Sequence, residues 1–365
     1  MATINNFHSS LTSRVITFLR FPMIFLVVYI HGVGFSVFEH YQIAPPDDFN
    51  VMYNIVVDGV CRVAVPLFFL ISGYLFFSKE WDMGIYLKKM KRRFHSLFIP
   101  YCLFIIIAMI VIGSLQYFLP EMLSGKYKPV YEYDWYDYLL AFWKMDGRFI
   151  PYVAPLWFVR NLMVTMIFSP LIYCGIRFTN WLLIFIFGVA WLCGINGLDI
   201  PGTMCLTFFT IGAWLRIKEK DLCIFVRPLA ISSYIAYPVF CIIGALLVKG
   251  TLANTLIDNI AILVGIVAAI NLSALGVEHR NWEMPAALTS ATFFVYAAHV
   301  PYIGQFVKVI FLFLPKDLSA GMIDVVAWIL FFTVPLIFMT ILVTVYHILK
   351  KISPRFTSIL VGERG

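Results

Sequence analysis

The stretch Val15-Ile-Thr-Phe-Leu-Arg20-Phe-Pro-Met-Ile-Phe-Leu-Val-Val-Tyr-Ile-His31 is apolar enough to cross a membrane, yet it carries two basic side chains. Arg20 and His31 are eleven residues apart, about three helical turns, so a helix would place both on one face. They would lie roughly 16 Å apart along the axis, about half a bilayer. Because an arginine in hydrocarbon costs at least about 2.5–3.5 kcal/mol, the pair indicates a functional site rather than a simple anchor.

The composition predicts one polytopic membrane domain, residues 1–365. Hydrophobic residues make up 61% of the chain and charged residues 13%, whereas soluble proteins have about 25% charged residues. A net charge of +7 reports topology in such a chain, so we expect no nucleic-acid partner. The seven cysteines lie in or beside apolar segments without Cys/His metal spacing, so we expect core residues and no metal site.

Ten segments of the sequence are candidate membrane spans, of which the fifth and sixth are short. They cover roughly residues 15–35, 55–77, 94–117, 154–176, 181–196, 201–215, 229–249, 254–275, 286–312 and 322–348. An even number of spans puts both termini on one side. With the termini inside, cytoplasmic segments hold 17 Lys and Arg residues and outer segments hold 7. Cytoplasmic loops carry an excess of these residues, so we predict an all-α membrane protein of about ten helices with cytoplasmic termini.

Basic groups converge toward the outer half of the predicted membrane region. His31 lies near the outer end of the first span, and Arg62 lies at a similar depth in the second. Asp58 is four residues before Arg62 and is its candidate counterion. His299 lies near the middle of the ninth span. Each of these groups alone is compatible with a structural role, but together they predict a site for an acceptor substrate.

The fourth span begins with Pro155-Leu-Trp157-Phe-Val-Arg160-Asn161 and adds a further basic group to this outer half. We list Trp157, Arg160 and Asn161 as candidate substrate-binding residues. The preceding outer segment, about 118–153, is rich in aromatic and charged residues. It is either a solvated loop with interfacial tyrosines or a lid that stacks on sugar rings.

A basic run lies just inside the predicted membrane, before Ile99-Pro100-Tyr101. It consists of Lys88, Lys89, Lys91, Arg92 and Arg93. One interpretation is a positive-inside signal in contact with anionic membrane lipid. The other is a clamp for the phosphates of a cytosolic cofactor.

These residues resemble the acyltransferase-3 family of integral membrane acyltransferases over about residues 14–345. The resembling segments are Leu19-Arg20 with His31, Arg62 through Pro66-Leu-Phe-Phe-Leu-Ile-Ser-Gly-Tyr74, Lys91-Arg92-Arg93 with Ile99-Pro100-Tyr101, Pro155-Leu-Trp157-Phe158-Val-Arg160-Asn161, Phe208-Phe209-Thr-Ile-Gly212, and Phe293-Phe294-Val-Tyr296-Ala-Ala-His299-Val-Pro301. One departure is Thr17, where many relatives carry an aspartate three residues before the arginine. A carboxylate partner for Arg20 must therefore come from elsewhere, or Arg20 must face a ligand phosphate.

The resemblance implies transfer of an acyl group, usually acetyl, from cytosolic acyl-CoA to a hydroxyl of an exported or surface glycan or lipid-linked sugar. The chain would then be a multi-pass protein of a bacterial plasma (inner) membrane. His31 would be a general base or a transient acyl carrier, with Arg20 and Arg62 as further catalytic residues. The basic run would bind CoA. The rival hypothesis is a transporter or flippase for a lipid-linked sugar or anionic solute, which also needs cations in the membrane.

Overall fold

A computed structural model describes residues 11–119, 128–145, 149–195 and 200–363, and these residues form helices and connecting turns without a β-strand. The predicted all-α class is therefore confirmed. The helices are α1 (Leu11–Ile30), α2 (Ser36–Tyr41), α3 (Asp47–Phe76), α4 (Met83–Phe118), α5 (Trp135–Ala141), α6 (Ala154–Ile167), α7 (Ser169–Thr179), α8 (Leu182–Leu192), α9 (Thr203–Ile217), α10 (Leu222–Leu246), α11 (Leu252–His279), α12 (Ala286–Val300), α13 (Tyr302–Leu312), α14 (Ala320–Ile352) and α15 (Pro354–Leu360).

Six of the described helices are long and apolar enough to cross a membrane, namely α1, α3, α4, α10, α11 and α14. The bent pairs α6–α7 and α12–α13 raise the number to eight if each pair is one span. Helices α8 and α9 lie where the fifth and sixth spans were predicted. They have 11 and 15 residues, about 16 and 22 Å, which is less than the roughly 30 Å hydrocarbon core. The predicted count of about ten spans is therefore not confirmed.

The first two predicted spans have different boundaries in the structure. Helix α1 ends at Ile30, and His31 lies in the following turn, where its amide donates to the Val28 carbonyl at 3.1 Å. The helical register that predicted a shared face for Arg20 and His31 therefore stops one residue short of His31. Helix α3 begins earlier than predicted and contains a π-helical segment, Asn54–Val60, followed by a 3₁₀ turn, Cys61–Val63. Such irregular turns are frequent at functional sites.

Helices α3 and α9 cross at close range because a glycine from each faces the backbone of the other. A Cβ atom on Gly73 would lie 2.1 Å from a carbonyl oxygen of α9, and one on Gly212 would lie 2.0 Å from a carbonyl oxygen of α3. Only glycine permits such an approach. The crossing brings Tyr74 and Arg216 together, with the guanidinium carbon 5.6 Å from the ring centre.

The bundle has two polar ends, about 30 Å apart along α1. At the first, Thr12 donates to Asp221 at 2.8 Å, and Gly362 packs so closely on Ser96 that a Cβ atom would lie 2.4 Å from its carbonyl oxygen. The second contains His31. Following the predicted orientation, we call them the inner and outer ends. Both termini of the described chain thus lie at the inner end.

Candidate functional site

Four cationic side chains gather at the inner end, and we call them the inner cationic cluster: Arg20 of α1, Lys89 and Arg93 of α4, and Arg216 of α9. Arg93 lies close enough to Arg20, and Lys89 close enough to Arg93 and Arg216, for mutual repulsion. Arg20 is exposed and Arg93 is partly buried, so both guanidinium groups remain accessible to a ligand. Because repulsion among like charges is relieved by an anion, this arrangement indicates an anion-binding site.

The basic run of α4 is divided between two faces of the helix. Lys89 and Arg93 are four residues apart, and they lie partly buried on the face toward α1 and α9. Lys88, Lys91 and Arg92 are exposed. The structure thus brings two of the five predicted cofactor-binding residues to the cluster and leaves three on the surface.

Carboxylates near the inner cationic cluster have other partners. Within the described ranges, no carboxylate forms an ion pair with the cluster members of α1 and α4. Glu219 lies 2.9 Å from Lys79, and its hydrogen bond raises the pKa of the Lys79 ammonium above its usual value. Asp221 accepts hydrogen bonds from Thr12 and from the Ile224 amide. The cluster therefore keeps most of its positive charge available to a ligand.

Helix α3 holds two members of the cluster in place. Lys89 donates a hydrogen bond to the Phe76 carbonyl at the carboxyl end of α3, where a cation is favourable. Arg216 lies over the Tyr74 ring. Arg216 was not among the five predicted cofactor-binding residues, because it lies at the end of a short apolar helix and not in the basic run of α4.

At the outer end, the structure brings His31 and His299 together, with ring centres 5.2 Å apart and ring planes inclined at 51°. His31 is partly buried, whereas His299 is completely buried. His299 lies just before the bend of 65° that separates α12 from α13, and Val300 has non-helical dihedral angles at that bend. A residue that precedes a proline disfavours the helical conformation, which explains the break at Val300-Pro301.

A network of four charges lies beside these histidines. Asp58 accepts from Arg62 at 3.3 Å and lies 3.1 Å from Lys249, which also lies 3.4 Å from Asp258. The predicted pairing of Asp58 with Arg62 is confirmed. Arg62 is 52% exposed and close enough to His31 to act on it electrostatically. Two cations and two carboxylates balance, so this outer network is close to neutral. Lys249 lies in the turn between α10 and α11, and Asp258 lies in α11, so the spacing along α3 could not predict either as a site residue.

Arg160 is 2% exposed, and its hydrogen bonds go to the protein. It donates to the carbonyls of Trp143 and Phe149, and to Asn161 Oδ1 at 3.2 and 3.0 Å. Asn161 in turn donates to the Pro201 carbonyl at 3.1 Å. Arg160 therefore anchors the outer segment to α6, and Asn161 ties α6 to the turn before α9. Their predicted contact with substrate stays a prediction, and this geometry favours a structural role instead.

Trp157 begins the regular part of α6 and lies partly buried, with its ring centre 6.1 Å from that of Phe69. The turn before it is tied to the histidine-bearing helix, because the Tyr296 hydroxyl donates to the Pro155 carbonyl. Trp157 thus packs against the bundle near the site without a described contact to either histidine.

The outer segment 118–153 is described only outside 120–127 and 146–148. Its described part contains α5, which begins with a capping box formed by Asp134 and Asp137. Lys128 donates to Asp137 at 2.7 Å, which lowers the pKa of that carboxyl. Trp135 and Tyr136 are 74% and 55% exposed. The described part is therefore a structured platform of exposed aromatic rings, whose contact with sugar stays a prediction.

The residues described here contain no group of three or more His, Cys, Asp or Glu side chains placed to hold a metal ion.

Thr17, the departure noted above, donates to the Ser13 carbonyl of its own helix at 2.9 Å. It lines a groove of about 240 Å³ with Phe18 and Trp282, whose rings stack 5.6 Å apart. Arg20 therefore has basic neighbours instead of a carboxylate on its helix.

Comparison with known proteins gives two similarities. A family model described as an acyltransferase domain matches residues 14–348. The chain is 22% identical over 320 residues to the succinoglycan biosynthesis protein ExoH of Rhizobium meliloti (strain 1021), an alignment that covers 84% of this chain and 80% of that protein. No solved structure matches. The matched range nearly coincides with the residues on which the sequence motifs fall.

Proposed function

We propose a reaction for this chain, which belongs to the acyltransferase-3 family: transfer of an acyl group, expected to be acetyl, from cytosolic acyl-CoA to a hydroxyl of an exported polysaccharide, oligosaccharide or lipid-linked sugar. The similarity to a protein named for succinoglycan biosynthesis supports a glycan acceptor. Several apolar helices long enough to cross a bilayer make this a multi-pass membrane protein, and we propose a bacterial plasma membrane as its location.

The observation that carries the proposal is the placement of two chemically different sites along α1, one beside Arg20 in its middle and the other directly after its last residue, Ile30. The inner cationic cluster contains Arg20, and the histidine pair begins at His31, directly after the helix. A donor that binds at one end and an acceptor that binds at the other would meet within the protein. This separation fits a donor from the cytosol and an acceptor on the far side.

The inner cationic cluster suits the donor. CoA carries its phosphates at the nucleotide end and its thioester at the tip of a long flexible arm. Phosphates bound by Lys89 and Arg93 would leave the arm free to extend along α1 toward His31. Each contact between a cation and a phosphate near a membrane surface contributes about 1 kcal/mol, so even two contacts matter for affinity.

The outer end suits the chemical step. His31 would accept the proton of a sugar hydroxyl as its oxygen bonds to the acyl carbonyl carbon. The carbon–sulfur bond breaks, and the CoA thiolate recovers the proton from His31 and leaves as the thiol. Arg62, exposed beside His31, would stabilise the oxyanion, an effect typically of about 10²–10³-fold.

A second route leaves His31 as a transient acyl carrier, because the same nitrogen can attack the thioester itself. The two routes differ before the acceptor is present. Purified protein incubated with acetyl-labelled acetyl-CoA and no acceptor would retain label on His31 only in the carrier route. His31→Ala is the control that must remove that label.

Sealed inside-out membrane vesicles test the function as a whole. They are supplied with acetyl-labelled acetyl-CoA, and glycan is then recovered from the lumen. The expected result is label in the glycan with wild-type protein and none with His31→Ala. Glycan that enters the lumen unlabelled would identify a transporter and overturn the proposed reaction.

A further inference from the structure

The two ring nitrogens of His299 have different surroundings. Nδ1 lies 2.6 Å from the Tyr296 carbonyl oxygen. A carbonyl oxygen can only accept, so Nδ1 carries the proton and donates, and Nε2 is left with a free lone pair. Nε2 is buried and has no hydrogen-bond partner among the described residues. A buried acceptor without a partner is unusual and requires an explanation.

The helix break keeps this ring in place. Tyr296 is fixed through its hydroxyl, which donates to the Pro155 carbonyl. The backbone leaves helical geometry at Val300, with φ −112° and ψ 134°, so His299 is among the last residues of α12. Its ring is held at Nδ1 by the Tyr296 carbonyl, whereas Nε2 has no such hydrogen bond among the described residues.

His31 is the ionisable side chain whose ring lies beside that of His299. Its ring centre lies 5.2 Å from that of His299, and no described group forms a hydrogen bond with its side chain. A rotation of the partly buried His31 ring would bring an N–H group to the free Nε2. Resting on the proposed function, we infer that His299 is the positioning residue of His31: its Nε2 accepts the His31 N–H and leaves the other His31 nitrogen bare toward the substrate.

This arrangement explains how His31 works without a carboxylate behind it. A general base needs one bare nitrogen aimed at the hydroxyl, and the hydrogen bond made by the other nitrogen decides the tautomer. When His31 takes the hydroxyl proton, its N–H bond to Nε2 strengthens, because the imidazolium is a better donor. His299 keeps its own proton on Nδ1 throughout, and the transferred proton returns from His31 to the CoA thiolate.

Two variants of His299 separate positioning from packing. In His299→Asn, the amide occupies the place of Nδ1 and keeps the bond to Tyr296, but the acceptor is lost. In His299→Gln, the longer side chain puts its oxygen near the place of Nε2 and keeps an acceptor. We expect His299→Asn to lower kcat by at least about tenfold with KM for acetyl-CoA unchanged. His299→Gln should recover most of that loss. Equal losses in both variants, or a change in KM alone, would overturn the inference.

A chemical probe tests the pair without any acyl acceptor. Diethyl pyrocarbonate modifies the bare nitrogen of neutral histidine, and mass spectrometry reports its rate at His31. We expect a several-fold slower rate at His31 in His299→Asn and a near wild-type rate in His299→Gln, because an accepted N–H makes the opposite nitrogen more nucleophilic. The same His31 rate in all three proteins would refute the pairing. If the His31 rates differ as expected but the wild-type protein transfers no acyl group, the pairing holds and the proposed function is refuted.

Discussion

Both ends of the bundle contain several cationic side chains, but the two ends differ in the carboxylates that pair with them. At the inner end, Arg20, Lys89 and Arg93 form no ion pair with a described carboxylate. At the outer end, Arg62 and Lys249 share Asp58, and Asp258 supplies a second carboxylate. Uncompensated charge attracts an anion, whereas a balanced network presents polar groups without a strong net field. The inner end therefore suits a phosphorylated donor and the outer end a sugar hydroxyl.

The comparison shows why counting charges along the chain is insufficient. The excess of Lys and Arg on one side predicts orientation, and it treats every basic residue alike. What distinguishes a ligand site from a topological signal is whether each charge has a counterion and whether it faces the interior.

The largest effect is expected at the outer end. His31→Ala should lower acyl transfer by at least about 10²-fold, because general-base catalysis contributes about 10²–10⁴-fold. Acetyl-CoA affinity should remain near wild type, since the inner cationic cluster is unchanged. His31→Gln keeps a hydrogen bond without a base and should also be nearly inactive. Calorimetric titration with acetyl-CoA and initial-rate transfer assays measure the two quantities, and substantial turnover by a well-folded His31→Ala protein would contradict the assignment.

A smaller effect is expected at the inner end. Replacing Lys89 and Arg93 together by Gln should raise KM for acyl-CoA about thirtyfold, corresponding to about 2 kcal/mol for two phosphate contacts. Saturated turnover should change less, and the effect should shrink as salt screens the charges. The matched control replaces Lys88 and Arg92 by Gln, which removes the same charge from the exposed face of the same helix. Equal changes of KM for acyl-CoA in both double variants would show that the basic run acts only as a positive-inside signal.

The glycine crossing that supports the inner end should respond in stability. Gly212→Ala places a methyl group against a carbonyl oxygen of α3 and should destabilise the protein by about 1–3 kcal/mol. Gly188→Ala is the control, because a Cβ atom there meets nothing within 4 Å. Thermal unfolding followed by size-exclusion chromatography in detergent compares the two. Equal melting temperatures would show that α3 and α9 do not pack this closely.

The smallest functional effect is expected from the balanced outer network. Asp58→Asn removes one carboxylate and gives the outer end a net positive charge, while Lys249 keeps Asp258. We expect a few-fold change in KM for the glycan and none in KM for acyl-CoA. Glu219→Gln breaks an exposed ion pair at the inner end. It should change neither of the two KM values, since exposed ion pairs contribute little to stability. A donor defect in Asp58→Asn would mean that the two ends are not separate sites.

The confirmed sequence predictions are those that depend on contiguous segments or short spacings. Hydropathy over about twenty residues is a local property, and it predicted the all-α membrane class. The pairing of Asp58 with Arg62 needs only a spacing of four residues along one helix. The order of motifs along the chain indicated the acyltransferase family, which the family match now shows.

Tertiary structure decided which groups lie next to each polar residue. The sequence paired Arg20 with His31 because both lie on one stretch. In the folded protein Arg20 lies near Arg93, and His31 lies beside His299. It also encloses Arg160 among backbone carbonyls, where a buried guanidinium has its donors satisfied by the protein. The physical reason is that periodicity determines the face on which a side chain lies. Its partner on that face depends on which distant helix packs there, and that contact is set by close packing such as the glycine crossing of α3 and α9.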